Sequence, residues 1–267
     1  MGLQHGDDQA ARKAGRERLW TPAHGLAAAA GRALDLIFPP QALDGGARPQ
    51  SEGLSAAAWS KISFIAEPLC DGCGASFDYA VGDRCAACQA RPRAFSRARA
   101  AVIYDQHSRD LILAFKHADR LDLARLLSAW VGRAAGELIS QADAVAPVPL
   151  HPLRLLHRRY NQAAELARPL ARRHGLAFLP DALIRGRATE SQGGKSGSGR
   201  RRNVAGAFRV PDRKRRQVEG RRILLIDDVL TTGATAEACA KALLAAGAIQ
   251  VDLAVVARVR EIEAAPI

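Results

Sequence analysis

Asp227 and Asp228 end the apolar run Ile223-Leu224-Leu225-Ile226 and are followed, after Val229 and Leu230, by Thr231-Thr232-Gly233-Ala234-Thr235. Three threonine hydroxyls, a glycine that lets backbone approach closely, and the free N–H groups of a helix start suit a dianionic phosphate. The neighbouring acids would repel that phosphate, so their partners are hydroxyls or a hydrated Mg²⁺, and a ribose 5-phosphate offers both ends at this spacing. A second group is Cys70-x-x-Cys73, eleven residues, then Cys85-x-x-Cys88. Two such turns present four thiolates, which satisfy tetrahedral Zn²⁺ and leave no open position for chemistry, so the expected metal is structural.

The acids need a strand to deliver them and a helix to receive the loop. The run 223–226 predicts a buried parallel strand, and a helix follows to about Ala246, with Gly247 as its C-cap. Cys239 falls among alanines in that helix and reads as core. Other strands are expected at 97–104, 143–149, 183–185, 207–210 and 249–259, with helical patterns up to Lys116, over 121–139 and over 162–174. Lys116 ends an apolar helix face and is a candidate ligand contact. Loops past the carboxyl ends of parallel strands carry ligands. The one after 143–149 holds Arg154, Arg158 and Arg159, whose guanidinium forks match pyrophosphate edges. Asn161 is placed to cap the helix after it. The polar stretch 187–203 reads as a functional lid or as disorder, with Arg200-Arg201-Arg202 available to a pyrophosphate, to a nucleic-acid backbone or to solvent. Its Gly193-Gly194-Lys195-Ser196 is not a Walker A loop, because Thr189 stands where the first glycine belongs and no apolar strand leads in.

A chain of 267 residues with 48% hydrophobic content can build a real core. A net charge of +12 attracts polyanions without choosing between nucleic acid and pyrophosphate. Residues 26–30 are too short and too closely bracketed by His24 and Arg32 for a signal peptide, and no run reaches membrane-span length, so a cytoplasmic protein without membrane insertion is expected. Paired CxxC turns fit a reducing compartment. Residues 39–59 resemble 68–89 in flanking proline, Asp-Gly turn and paired-alanine ending, which makes them a repeat in which Ala42, Gly45, Ser55 and Ala58 stand where the second copy has cysteines.

The terminal LLIDDVLTTGAT resembles the 5-phosphoribosyl 1-pyrophosphate (PRPP) signature of type I phosphoribosyltransferases. Together with LDLIFPP and the cysteine knuckles, PVPLHPLRLLHRRYNQA, and TESQGG…RRRNVAGAF, the chain resembles the ComF/GntX group of phosphoribosyltransferase-like proteins over roughly 32–260. The resemblance implies an open, mostly parallel twisted sheet flanked by helices, preceded by a zinc ribbon. The expected divisions are an extension at 1–30, a ribbon module at 31–95 and a phosphoribosyltransferase-like domain at 96–267. It further implies that Asp227 and Asp228 hold the ribose hydroxyls and that Thr231 through Thr235 wrap the 5-phosphate, which leaves Arg154, Arg158, Arg159, Lys116 and Arg200 as the candidates for the pyrophosphate. The implied cofactors are one structural Zn²⁺ and Mg²⁺ carried with PRPP. Two activities follow: phosphoribosyl transfer to an acceptor, linked to competence, or a non-catalytic adaptor that binds single-stranded DNA and DNA-uptake proteins and uses the site as a sensor. The chain departs from the family pattern at the first cysteine quartet and at Lys195, where an apolar residue is usual.

Overall fold

The computed structural model describes residues 42–44, 53–77, 82–117, 120–186 and 206–260, which belong to one compact unit. The stretch 187–203, Arg200 within it, Gly45 and residues 1–41 lie outside the described residues.

The described residues open with two short helices, α1 (Ala56–Trp59) and α2 (Ala86–Ala90), and then enter β1 (Ala98–Ile103). Helices α3 (Gln106–His117), α4 (Leu123–Ala134) and α5 (Gly136–Gln141) lead to β2 (Ala144–Pro147). After it come α6 (Pro152–Arg158), α7 (Gln162–His174) and β3 (Ala177–Phe178). A two-residue antiparallel pair, β4 (Ile184–Arg185) with β5 (Phe208–Arg209), flanks the stretch outside the described residues. The chain then runs through a short 3₁₀ turn and α8 (Arg215–Val218) into β6 (Arg222–Leu230), α9 (Ala234–Ala245) and β7 (Gln250–Arg258).

The five-stranded sheet has the order β1-β7-β6-β2-β3 and every pairing in it is parallel. A parallel sheet is covered on both faces, which is why its strands read as continuous apolar runs. In β6, Leu224 and Ile226 face a cluster built from α3, α4 and α7, while Ile223 and Leu225 face a second cluster built from α9 and the β4–β5 pair. From β6 the chain moves outward to β7, and from β2 it moves the other way to β3. The strand order therefore reverses between β6 and β2, and the crevice at their carboxyl ends is where open sheets of this type hold ligands.

Three sequence expectations need adjustment. The helix expected over 121–139 is two, because Ala135 leaves helical geometry (φ −108°, ψ 19°) just before Gly136, a poor helix former. The loop past β2 contains α6, started by His151, whose side chain accepts from the Leu153 N–H, with Pro152 at the first position. The strand carrying the acids continues through both of them, paired to β7 as far as Leu230, so the phosphate loop shrinks to Thr231–Gly233, and Ala234 and Thr235 already belong to α9.

Candidate functional site

Asp227 and Asp228 are adjacent residues of one strand and so diverge to opposite faces. Asp228 meets Lys116 at the end of α3, with Nζ 2.9 Å from Oδ2, both side chains under a fifth exposed. The lysine that closes an apolar helix face thus belongs to the acid site. Tyr160 and Gln162 hold its helix end in place: the tyrosine hydroxyl donates to the Phe115 carbonyl at 2.5 Å and Gln162 Nε2 to the Lys116 carbonyl at 3.3 Å. Asn161 caps α7 by accepting from the Ala163 N–H and donates to the Val148 carbonyl.

Asp227 turns toward Arg185 and Cys239. Burial and the adjacent Asp228 charge push its carboxyl up to about 7, against the lowering pull of the Asp228 N–H, 2.9 Å from Oδ1, and of Lys116 and Arg185. Arg185 is a site residue that the sequence did not flag. Its guanidinium, with charge disfavoured by burial and by nearby Arg154, lies over the Phe208 ring at 5.3 Å and feels Asp227. The available signal was its position, an arginine ending a two-residue strand just before a glycine-rich polar stretch. Of the arginines expected at the pyrophosphate, Arg154 joins this cluster, Arg158 bonds Gln162 Oε1 at 3.3 Å, and Arg159 is exposed in a left-handed conformation (φ 66°). Cys239 is fully buried, as its alanine surroundings predicted.

Past the acids, Gly233 caps α9 with φ +76°, a conformation that a residue with a side chain adopts only under strain. No side chain caps this end, so the first N–H groups of a twelve-residue helix are available to an anion beside Thr231 and Thr232. The site thus pairs an anion cradle with two carboxylates backed by cations. A cavity of about 400 Å³ elsewhere, bordered by Phe64, Leu69, Arg99 and Trp130, shares none of these residues.

The four cysteines Cys70, Cys73, Cys85 and Cys88 converge, with all sulfurs within 4.8 Å of one another. Cys73 Sγ lies 3.7 Å from Cys85 Sγ, too far for a disulfide. That distance matches the edge of about 3.8 Å expected for a tetrahedron with Zn–S arms of about 2.3 Å. The Cys85 N–H donates to Cys70 Sγ at 3.2 Å. Burial works to raise the Cys70 thiol, but hydrogen bonds from the Cys85 and Cys73 backbone bring it below its ordinary value. Burial raises Cys73, against the pull of nearby Arg258, and lifts Cys88 to about 11. The donor set and its spacing fit Zn²⁺.

The sequence matches the phosphoribosyl transferase domain family over residues 161–266 and the double zinc ribbon domain family over residues 33–89. Competence protein F of Haemophilus influenzae is 31% identical over 191 residues, covering 70% of this chain and 82% of that protein. DNA utilization protein YhgH of Escherichia coli K12 is 30% identical over 201 residues, covering 73% of this chain and 86% of its own. The chain belongs to the competence protein F family. Among solved structures, orotate phosphoribosyltransferase from Aeropyrum pernix is 18% identical over 60% of this chain and 80% of its own, at a TM-score of 0.29.

In this member of the competence protein F family the described residues 42–44 and 53–59 share local geometry with the cysteine knuckle. Ser55 and Cys85 occupy the same place, each the N-cap of a short helix beginning Ala-Ala, at φ/ψ of −67°/155° and −68°/158°. The backbone bond from the Asp71 N–H to the Asp83 carbonyl, 2.7 Å, has its counterpart in Leu43 N–H to Gly53 carbonyl, 2.5 Å. Asp44 accepts from the Ser55 hydroxyl at 2.7 Å and from its N–H at 2.8 Å, and Leu54 and Ala42 are buried. Trp59 at the end of α1 then stacks with Phe64 and Trp130, with centroids 5.1 and 5.8 Å away. Asp44→Ala strands both Ser55 donors, a cost of about 1–3 kcal/mol. The melting temperature should fall by several degrees while zinc content stays at one per chain, as read by calorimetry and metal analysis.

Proposed function

We propose that this protein binds PRPP and transfers its phosphoribosyl group to an acceptor. The observation that carries the reading is the run of two cation-backed carboxylates into a capped helix start at the reversal point of a parallel sheet. In this reading the α9 N–H groups, Thr231, Thr232 and Thr235 take the 5-phosphate, and Asp227 and Asp228 take the ribose hydroxyls. Arg185 and Arg154 face the pyrophosphate. Breaking the C1–O bond sends its electron pair out with pyrophosphate and leaves an oxocarbenium-like sugar, which an acceptor lone pair attacks. The carboxylates stabilise the developing positive charge and the guanidiniums the departing negative charge. Mg²⁺ is compatible with this arrangement: such ions bind through few carboxylates plus substrate phosphates, and Asp228 is shared with Lys116. When bound, it would supply charge neutralisation on the leaving group.

The names of the relatives and the net charge of +12 support placing this activity in the use of DNA. Calorimetric titration of PRPP with Mg²⁺ into wild type and Asp227→Ala/Asp228→Ala protein tests the site. Binding should be clear in wild type and weakened at least about a hundredfold in the variant, because charge-assisted hydrogen bonds to two hydroxyls are lost. Equal affinity in both proteins would overturn the assignment.

A further inference from the structure

Two arginines leave the second cysteine knuckle, one ending on the phosphate loop and the other on the helix that follows it. Arg91, the residue that closes α2 three positions after Cys88, reaches Glu237 at 3.2 Å, a carboxylate 9% exposed in the first turn of α9. Arg93 donates from Nη1 to the Thr232 carbonyl at 2.7 Å. The same nitrogen fills the space over Gly233, where an added Cβ would stand 3.0 Å from it. Beyond Arg93 the chain is pinned by Phe95, 2% exposed, and the knuckle's other side is fixed to β1. There the Ala98 N–H donates to the Asp71 carbonyl at 3.2 Å, Arg99 pairs with Asp71 at 2.7 Å, and Gly74 lies so close that a Cβ would come within 2.7 Å of the Ala98 oxygen. A short segment held at both ends therefore touches the loop at its middle.

A carbonyl aimed at a phosphate repels it, whereas an N–H attracts it. In a trans peptide the two point in opposite directions. With its oxygen on Arg93, the Thr232–Gly233 peptide turns the Gly233 N–H away from that guanidinium. Glycine at 233 leaves this peptide free to flip once the arginine is gone. We propose that Arg93 is a positioning residue for the phosphate loop and that the zinc-filled knuckle holds it there, so that metal at the four cysteines raises the loop's affinity for a phosphate ester. The coupling rests on the phosphate-loop reading above, and the clamp does not.

The test uses the full chain, with and without zinc, as wild type, Arg93→Ala and Arg93→Lys, and ribose 5-phosphate as the probe. Zinc-loaded Arg93→Ala should keep its metal stoichiometry, exchange the amides of 231–235 faster than wild type, and bind ribose 5-phosphate about tenfold more weakly, the loss of one charge-assisted hydrogen bond. Arg93→Lys should recover part of that affinity. Stripping zinc from wild type should reproduce the loss, and stripping it from Arg93→Ala should add little. Unchanged exchange at 231–235 in zinc-loaded Arg93→Ala overturns the clamp whether or not any ligand binds. Zinc removal that weakens both proteins equally overturns the coupling. Faster exchange in a protein whose wild type binds no ribose 5-phosphate supports the clamp and removes the phosphate-loop reading instead.

Discussion

Asp227→Asn should make the protein more stable at pH 8 and nearly abolish its binding of PRPP. The native carboxyl is pushed up to about 7, first by burial and then by Asp228. In the unfolded chain an aspartate loses its proton near 4. Between those values the native state binds more protons than the unfolded one, so stability declines as pH rises from about 4 to 7 and is level above. Asparagine removes that slope. Arg185 and Lys116 lose an opposing charge in the exchange, which offsets part of the gain and leaves about 2 kcal/mol, or roughly 5 °C in melting temperature. The gain should vanish by about pH 3, where both states of the wild type are protonated, and calorimetric melts across pH 3–8 read it directly. A variant equally destabilised at every pH would show that Asp227 carries no buried-charge cost. Binding should weaken about a hundredfold in the same variant, because an amide is a poorer acceptor for ribose hydroxyls than a carboxylate. A residue kept at a cost to stability is the expected sign of a functional site.

Much of this site was legible in the sequence because its parts are contiguous. The apolar run, the acid pair and the threonine loop form one strand–loop–helix unit, and each element carries its own local signal: β-branched and leucine residues for the strand, Gly233 for the left-handed cap, alanines for the helix. The second knuckle was readable for the same reason, and Ser55 and Cys85 share an N-cap position, though only Ser55 makes a side-chain cap bond. What comes from afar was weaker. Lys116 lies over a hundred residues from Asp228 and its motif was an apolar helix with a lysine at the end, a pattern that solvent-exposed lysines share. Arg91 and Arg93 gave no signal of their own, and Arg185 gave only its position before the polar stretch. In a chain with 39 lysines and arginines, residue type cannot pick out the few that meet an acid or a carbonyl, because that choice is made by tertiary packing. The break at Ala135 was masked because the apolar spacing continues across it, and Gly136 was its one local sign.

Removal of zinc should have the largest effect on stability, and its binding should be visibly coupled to protons. Burial raises Cys73 above its ordinary value and lifts Cys88 to about 11, so both are protonated near neutrality in the metal-free chain. A zinc ligand must be a thiolate, so binding releases at least two protons. Titrations of zinc at pH 7 in buffers of different ionisation enthalpy should report that number, and affinity should fall as pH falls. Fewer than two protons released would mean that one of these cysteines is not a ligand. Four thiolates with Zn²⁺ leave a net charge of −2 in a largely buried site, and Arg258, 5% exposed and acting on Cys73, supplies a compensating positive charge. The binding energy of structural zinc sites, about 10–16 kcal/mol in small domains, is folding energy. Here part of it holds the knuckle against the start of β1 through Asp71. Chelation should therefore lower the melting temperature by roughly 10 °C or more. Cys73→Ala should do the same without chelator and should not be rescued by added zinc, whereas Cys239→Ala, which removes a buried thiol from α9, should cost stability without changing zinc content. If chelation left the melting temperature unchanged, the cysteine cluster would hold itself together by packing alone, and the tetrahedral spacing of its sulfurs would have no energetic consequence.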